Sequence, residues 1–167
     1  VSSDLLDRMP NCRVVVRAGV GFDNIDLQAA GERGIAVCNT PDYGTTDVAD
    51  HAIALTLGLL RGITAYNRAI EADPVKGWRF EDAPHIRRLS TQVFGVIGLG
   101  RIGTATALRA KALGMRVVFF DPYRTTGTEL SLGLERMPSL QALLETADVV
   151  SLHTPLSPET KHLINVD

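Results

Sequence analysis

Three glycines and one acid carry the first chemistry in this chain. Gly98, Gly100 and Gly103 stand in the run Gly98-Leu99-Gly100-Arg101-Ile102-Gly103. Asp121 follows about 20 residues later, the spacing a dinucleotide cradle requires. Gly98 lets the chain turn sharply, and Gly100, without a Cβ, lets backbone approach a pyrophosphate. Gly103 lets a helix pack closely on a strand. The helix that opens here presents unpaired N–H groups and a partial positive charge to phosphates. A carboxylate at Asp121 accepts hydrogen bonds from ribose hydroxyls. At about 4 Å it repels a 2′-phosphate by roughly 1–4 kcal/mol, depending on local dielectric. That favours NAD over NADP even with Arg124 close by. A glycine-rich turn used only for packing explains neither Gly100 nor Asp121.

The elements that must position these groups read directly from the flanks. Val93-Phe94-Gly95-Val96-Ile97 is an apolar run suited to one buried parallel strand. An Ala-rich helical pattern runs on to Gly114, with Ile102, Ala105, Leu108 and Ala112 expected inward and Arg109 and Lys111 facing solvent. Met115 to Phe120 is a second strand ending on Asp121, so Gln92 to Tyr123 forms a βαβ unit. Thr125 to Gly133 reads as loop, and Pro138-Ser139 starts a helix with Leu140, Leu143 and Leu144 inward. Asp148-Val149-Val150-Ser151-Leu152 is a further strand, leading into His153-Thr154-Pro155-Leu156-Ser157-Pro158-Glu159-Thr160.

The N-terminal part has its own pattern. A helix end (Leu5, Leu6, Met9) stops at Pro10, and Arg13 to Arg17 is a short strand. Ala18-Gly19-Val20-Gly21 leaves that strand in a tight turn, which reads equally as an anion-binding nest of amides or as an ordinary strand-to-helix turn. Asp26 caps a helix through Arg33, Gly34 stops it, and Ile35 to Cys38 is the next strand. From Val48 to about Ala72 a long helix is expected, capped by Asp47. One face carries Ala52, Leu55, Leu59, Ile63, Tyr66 and Ile70; a second carries Ile53, Leu57 and Leu60. Such a helix needs cover on both sides, which points to association. Ala72 to Thr91 is a polar connection whose Trp78 is expected to pack back on the domain.

Composition narrows the function classes. The net charge of −2 and the absence of a basic block give no footprint for nucleic acid. Arg87-Arg88 beside His85 is the densest basic spot and reads as a solvated loop. Cys12 and Cys38 lack metal-ligand spacing, so no metal is expected, and both read as small buried hydrophobes. No signal peptide pattern is visible and Arg61 interrupts the most apolar helix, so no membrane span is expected and the cytoplasm is the default. Two strands before residue 40 are too few for a stable sheet, and an open dinucleotide fold needs strands beyond the last one seen. The 167 residues are therefore expected to be a piece of a longer protein.

Six segments together resemble the D-isomer-specific 2-hydroxyacid dehydrogenases, nearest the branch of the C-terminal binding protein corepressors. They are Arg17 to Asp26, Cys38-Asn39-Thr40-Pro41, Val48-Ala49-Asp50-His51-Ala52, Gly98 to Gly103, Phe120-Asp121-Pro122-Tyr123 and Leu152 to Leu156. The resemblance implies an α/β fold: an incomplete Rossmann-type doubly wound parallel sheet over residues 48–167, preceded by the tail of a flavodoxin-like substrate domain over 1–47. It implies a homodimer through the cofactor domain and its long helix. It also implies that Val20 and Gly21 offer amides to a substrate carboxylate, Val20 also touching the cofactor, and that Val48 lies near the nicotinamide. Gly98, Leu99, Gly100, Arg101, Ile102 and Gly103 would then hold the phosphates, and Asp121 and Pro122 the adenosine ribose. His153, Thr154, Pro155 and Thr160 would run along the cofactor. The family's catalytic Arg, Glu and His are expected beyond Asp167, so neither His51 nor His153 inherits an acid–base role.

The leading expectation is an NAD-dependent oxidoreductase interconverting a D-2-hydroxy acid and its 2-keto acid. The alternative is an NAD(H)-responsive corepressor-like protein that dimerises on cofactor binding. A hydrolase of adenosylhomocysteine leaves the Gly19-Val20-Gly21 and Thr154-Pro155 turns unexplained.

Overall fold

Val93–Ile97 is apolar at every position except Gly95, and it becomes the strand around which the larger unit is built. The computed structural model describes residues 1–83 and 86–165; His85 lies outside them. The chain divides into two compact units, Val1–Thr45 with the stretch from Pro155 on, and Thr46–Thr154.

In the first unit, α1 (Ser3–Asp7) and α2 (Leu27–Glu32) accompany a parallel pair, β1 (Val14–Arg17) and β2 (Ala36–Asn39). Leu6, Ala29, Ala30 and Ile35 form its core. Asp26 caps α2 as expected, its side chain accepting from the Ala29 amide at 2.9 Å. Gly34, at φ +64°, supplies the left-handed residue after the helix. Cys38 departs from expectation. Alternate residues of β2 face outward, and Cys38 is exposed where a buried position was expected; Cys12 is half-buried.

The second unit holds a four-stranded parallel sheet of order β5-β4-β3-β6, with β3 Val93–Ile97, β4 Arg116–Phe120, β5 Glu135–Arg136 and β6 Val149–Leu152. On one face Phe94, Val96, Val117 and Phe119 pack with Ile53 of α3 (Thr45–Leu60) and with Ala107 and Ala110 of α5 (Arg101–Ala112). On the other, Gly95 leaves room for Leu143 of α7 (Leu140–Thr146), fully buried, where a Cβ would stand 2.9 Å from Leu143 Cδ2. Each such buried aliphatic side chain contributes about 1.5–3 kcal/mol.

Several elements differ from the sequence reading, each for a physical reason. The expected long helix is two: α3 ends at Leu60, α4 spans Ile63–Ala72, and the axes bend by 56°. Gly62 sits between them at φ +62°, and a Cβ there would come within 2.5 Å of Ala83 Cβ. Helix α3 begins at Thr45, which puts the expected cap, Asp47, inside its first turn. No single helix among the described residues is long and apolar enough to cross a membrane; α3 and α4 reach that length only as the bent pair.

The buried side of α5 is Gly103, Thr106, Ala107 and Ala110. Leu108 and Ala112, expected inward, are exposed. Small residues face the sheet because helix and strand approach closely there, so the larger leucine is displaced outward. Arg109, expected in solvent, pairs with Asp50 of α3 at 2.5 Å. In α7 Leu143 alone is buried, and Leu144 is exposed. The expected loop at 125–133 contains α6 (Thr128–Leu132), and β5 follows it. Trp78 does not pack back: it is 82% exposed.

Candidate functional site: a glycine turn at the switch point of the sheet

Strand β3 lies between β4, which follows it in the chain, and β6, which arrives after the chain has crossed back. Neighbouring strands therefore send their connections to opposite sides at the β3–β6 boundary. In open parallel sheets ligands bind at the carboxyl ends of the strands, at such a reversal. The residues leaving β3 and β6 here are Gly98 and His153.

The glycines of the turn divide their work. Gly98 has φ +87°, and a Cβ on it would lie 2.9 Å from the His153 carbonyl oxygen. A Cβ on Gly103 would fall 2.0 Å from the Gly98 carbonyl oxygen, so the first turn of α5 sits directly on the strand end. Around Gly100 nothing lies within 4 Å of the Cβ position. The space beside it is open, as it also is at Gly31, Gly34, Gly58, Gly114 and Gly127. Gly100 is also the N-cap of α5, with no side chain capping the helix, so the amide end of α5 opens at this space. Arg101 and Ile102 occupy the first two positions of that helix, Arg101 exposed and Ile102 half-buried.

Asp121 does more than stand near the turn. Its Oδ2 accepts from the Leu99 amide at 2.7 Å, and its Oδ1 from the Tyr123 amide at 2.9 Å. Each carboxylate oxygen keeps a further lone pair able to accept a hydroxyl. The Leu99 amide is thus committed to the acid rather than turned to a phosphate, and the Leu99 side chain is fully buried. The Leu99 carbonyl accepts from Thr104 Oγ1 at 3.2 Å and Arg124 Nε at 2.6 Å. These tethers were invisible in the linear pattern, because they depend on the β4 loop folding back over the turn. Pro122 follows Asp121 directly in that loop.

His153 and Thr154 close the β6 side. The His153 amide donates to the Ile97 carbonyl at 2.8 Å, and its Nε2 lies 2.8 Å from Ser151 Oγ. Burial lowers the pKa of this imidazole below the ordinary 6.5. The unfolded chain then takes up its proton at higher pH than the folded one. Stability from this group is therefore full above about 6.5 and falls as the pH drops through the folded value. His153→Gln should flatten the loss of thermal midpoint between pH 7.5 and 5.5 relative to the native protein, as followed by circular dichroism. An equally steep loss in the variant would assign the acid sensitivity elsewhere.

The remaining expected site residues stand on other segments of the chain. Val48 stands near the start of α3, 46% exposed, and His51 is exposed on the same helix. In the smaller unit Thr160 Oγ1 donates to the Pro155 carbonyl at 2.6 Å and accepts from the Ser157 amide at 2.8 Å, so Pro155 to Thr160 closes on itself. At the other glycine turn the Gly19 amide donates to the Arg17 carbonyl at 2.9 Å, and Asn39 Nδ2 donates to the Val20 carbonyl at 2.7 Å. The Arg17 guanidinium folds over the turn and donates to the Gly21 carbonyl. Among the described residues no group of three or more His, Cys, Asp or Glu is placed to hold a metal ion.

Comparison with known proteins agrees with this geometry. The chain is 38% identical to C-terminal-binding protein 1 of Caenorhabditis elegans, over 97% of this chain and 23% of that protein. It is also 38% identical to D-3-phosphoglycerate dehydrogenase of Methanocaldococcus jannaschii, over 98% of this chain and 30% of that protein. Among solved structures it superposes on the holo form of Rhodotorula graminis D-mandelate dehydrogenase with a TM-score of 0.89 at 34% identity, covering 98% of this chain and 49% of the other. Aquifex aeolicus D-lactate dehydrogenase complexed with NAD and lactic acid gives 0.85 at 34% identity, covering 99% and 48%. The chain thus spans less than a third of these curated relatives and about half of the solved chains. Residues 53–167 match the family described as D-isomer specific 2-hydroxyacid dehydrogenase, NAD binding domain, and with most of its length inside that match the chain belongs to this family and carries its NAD-binding domain.

Proposed function

We propose that the protein of which this chain is part is an NAD-dependent oxidoreductase interconverting a D-2-hydroxy acid and its 2-keto acid. The observation that carries this reading is the open space at Gly100, at the switch point of the sheet, beside a tethered Asp121. NAD, when bound, supplies the hydride acceptor or, reduced, the donor. The chain's own residues hold and orient it. Amides at the start of α5, at Gly100, Arg101 and Ile102, face the phosphates, with Gly98 and Gly103 giving the turn its shape and Leu99 anchoring it to Asp121. Asp121 and Pro122 meet the adenosine ribose, and Val48, His153, Thr154, Pro155 and Thr160 border the rest of the cofactor. Val20 and Gly21 offer their amides to the carboxylate of the substrate. The acid–base group and the arginine that grips the keto acid come from outside these 167 residues, and the protein works in the cytoplasm. Steady-state assays of the full-length protein with NADH and a panel of 2-keto acids test the reading, which requires turnover of at least one of them.

A second reading is favoured by the match to C-terminal-binding protein 1. It is an NAD(H)-responsive corepressor-like protein that dimerises on cofactor binding. Tight NADH binding without turnover across the panel would select it. Both readings include a homodimer through the larger unit. Leu55 and Leu59 are 57% and 82% exposed on the side of α3 away from Ile53, and Ile63, which opens α4, is 58% exposed. Leu59→Glu should convert a dimer to a monomer in analytical ultracentrifugation without lowering the melting temperature by more than a few degrees. A variant that remains dimeric would move the interface elsewhere.

A further inference from the structure

The chain leaves β4 through the loop Asp121-Pro122-Tyr123-Arg124-Thr125, and one side chain holds both ends of it. Arg136, the second residue of the short strand β5, pairs in register with Phe119 of β4. Its Nη1 donates to the Asp121 carbonyl at 3.2 Å and its Nη2 to the Thr125 carbonyl at 2.8 Å. The guanidinium is itself fixed from two other directions. Its Nε donates to Glu129 Oε2 at 3.0 Å, and its Cζ stands 4.9 Å from the centre of the fully buried Phe119 ring. Glu129 is held in turn, its Oε1 accepting from the Gly127 amide at 3.0 Å. An arginine ordinarily keeps much rotamer freedom, whereas a planar fork constrained in this way is a template for the two carbonyls it binds. The Arg136 and Glu129 side chains are 26% and 20% exposed, so the pair is shielded from much of the solvent that weakens open surface ion pairs.

We propose that Arg136 is a positioning residue for dinucleotide binding: by pinning both ends of the 121–125 loop it holds Asp121 and Pro122 in place for the adenosine ribose, acting through the loop rather than on the cofactor. The proposal rests on the reading of Gly98 to Asp121 as the NAD site. The Asp121 carboxylate is aimed by the Leu99 and Tyr123 amides, and Arg136 fixes the backbone from which that carboxylate springs. Released from the guanidinium, the loop gains conformational freedom in the unliganded protein. Ordering it again on binding weakens affinity.

The test is calorimetric titration of the full-length protein with ADP-ribose, together with hydrogen exchange of its backbone amides, in the native form and as Arg136→Gln and Arg136→Lys. Arg136→Gln should weaken ADP-ribose about tenfold and speed exchange of the Leu99 and Tyr123 amides about tenfold, while the amides of β3 exchange as in the native protein. Arg136→Lys keeps the charge opposite Glu129 but is a point donor that cannot span two carbonyls, so it should still bind ADP-ribose about fivefold more weakly than native. Circular dichroism melts establish that each variant folds; if the Gln form does not, the Lys form is compared with the native protein alone. An affinity within about twofold of native in either variant overturns the proposal, and in the Lys form it would mean that charge alone suffices. Exchange that quickens throughout β3 overturns it as well, because the loss would then be global rather than confined to the loop. Native protein that binds no ADP-ribose at millimolar concentration overturns the NAD-site reading instead.

Discussion

Asp121→Ala is expected to weaken NADH binding by at least about thirty-fold while narrowing the gap between NADH and NADPH. Two ribose hydroxyls lose a charged acceptor, and hydrogen bonds to charged groups contribute roughly 1.5–3 kcal/mol each. The change also strips the Leu99 amide of its partner at 2.7 Å, beside a side chain that is fully buried. The turn itself loosens, which weakens the grip on the phosphates of either cofactor. For NADPH this loss is offset, because the repelling carboxylate has gone and Arg124 remains. Calorimetric titration of full-length protein with both nucleotides measures the two effects together. An unchanged preference between them would remove Asp121 from the ribose site. Asp121→Asn separates the contributions, since one amide oxygen still accepts from Leu99 or Tyr123 while the charge is lost.

Gly100→Ala and Gly103→Ala should fail in opposite ways. At Gly103 the added carbon would stand 2.0 Å from the Gly98 carbonyl oxygen and 3.3 Å from His153 Cβ. Backbone is one of those neighbours, so helix α5 must lift from β3. Overpacking of this kind costs about 3 kcal/mol or more. Against a total stability of about 5–15 kcal/mol, the melting temperature should drop by roughly 10 °C or more. At Gly100 the added carbon meets nothing within 4 Å, and the residue has φ −71°. Stability should stay within about 0.5 kcal/mol of native. NADH affinity should nonetheless fall at least about tenfold, because the methyl occupies the space where backbone approaches the pyrophosphate. Thermal melts and NADH titrations on the same preparations decide it. A Gly100 variant that binds normally would mean the cofactor lies elsewhere.

The contrast between those glycines shows what the sequence made legible and where it stopped. Glycines at 98, 100 and 103 and an acid at 121 announced a βαβ cradle because each serves a steric or hydrogen-bonding need that few other residues meet. The strands Val93–Ile97 and Arg116–Phe120 were equally plain, since the first is an apolar run broken only by Gly95 and the second is apolar from Val117 to Phe120. Side-chain direction on α5 was not legible. Periodicity favoured Ile102, Ala105, Leu108 and Ala112, but close helix–strand contact selects small residues, and Gly103, Thr106, Ala107 and Ala110 took the face. The break at Gly62 was hidden within an unbroken helical pattern, because a left-handed glycine between two amphipathic stretches leaves no mark on hydropathy. The Leu99–Asp121–Arg124 tether joins residues on different elements and could only be seen once they were folded together.

The strand that the hydropathy pattern missed has a consequence for how this sheet can grow. Strand β5 is two residues long and carries charge: Glu135 is bound to Arg116 at 2.7 Å, and Arg136 to Glu129 at 3.0 Å. A short, charged border is a poor template for another strand. The opposite border, β6, is longer and displays Val150 and Leu152, 40% and 51% exposed. Any strand that joins the sheet is steered to that side, next to His153, so the layer extends in one direction only.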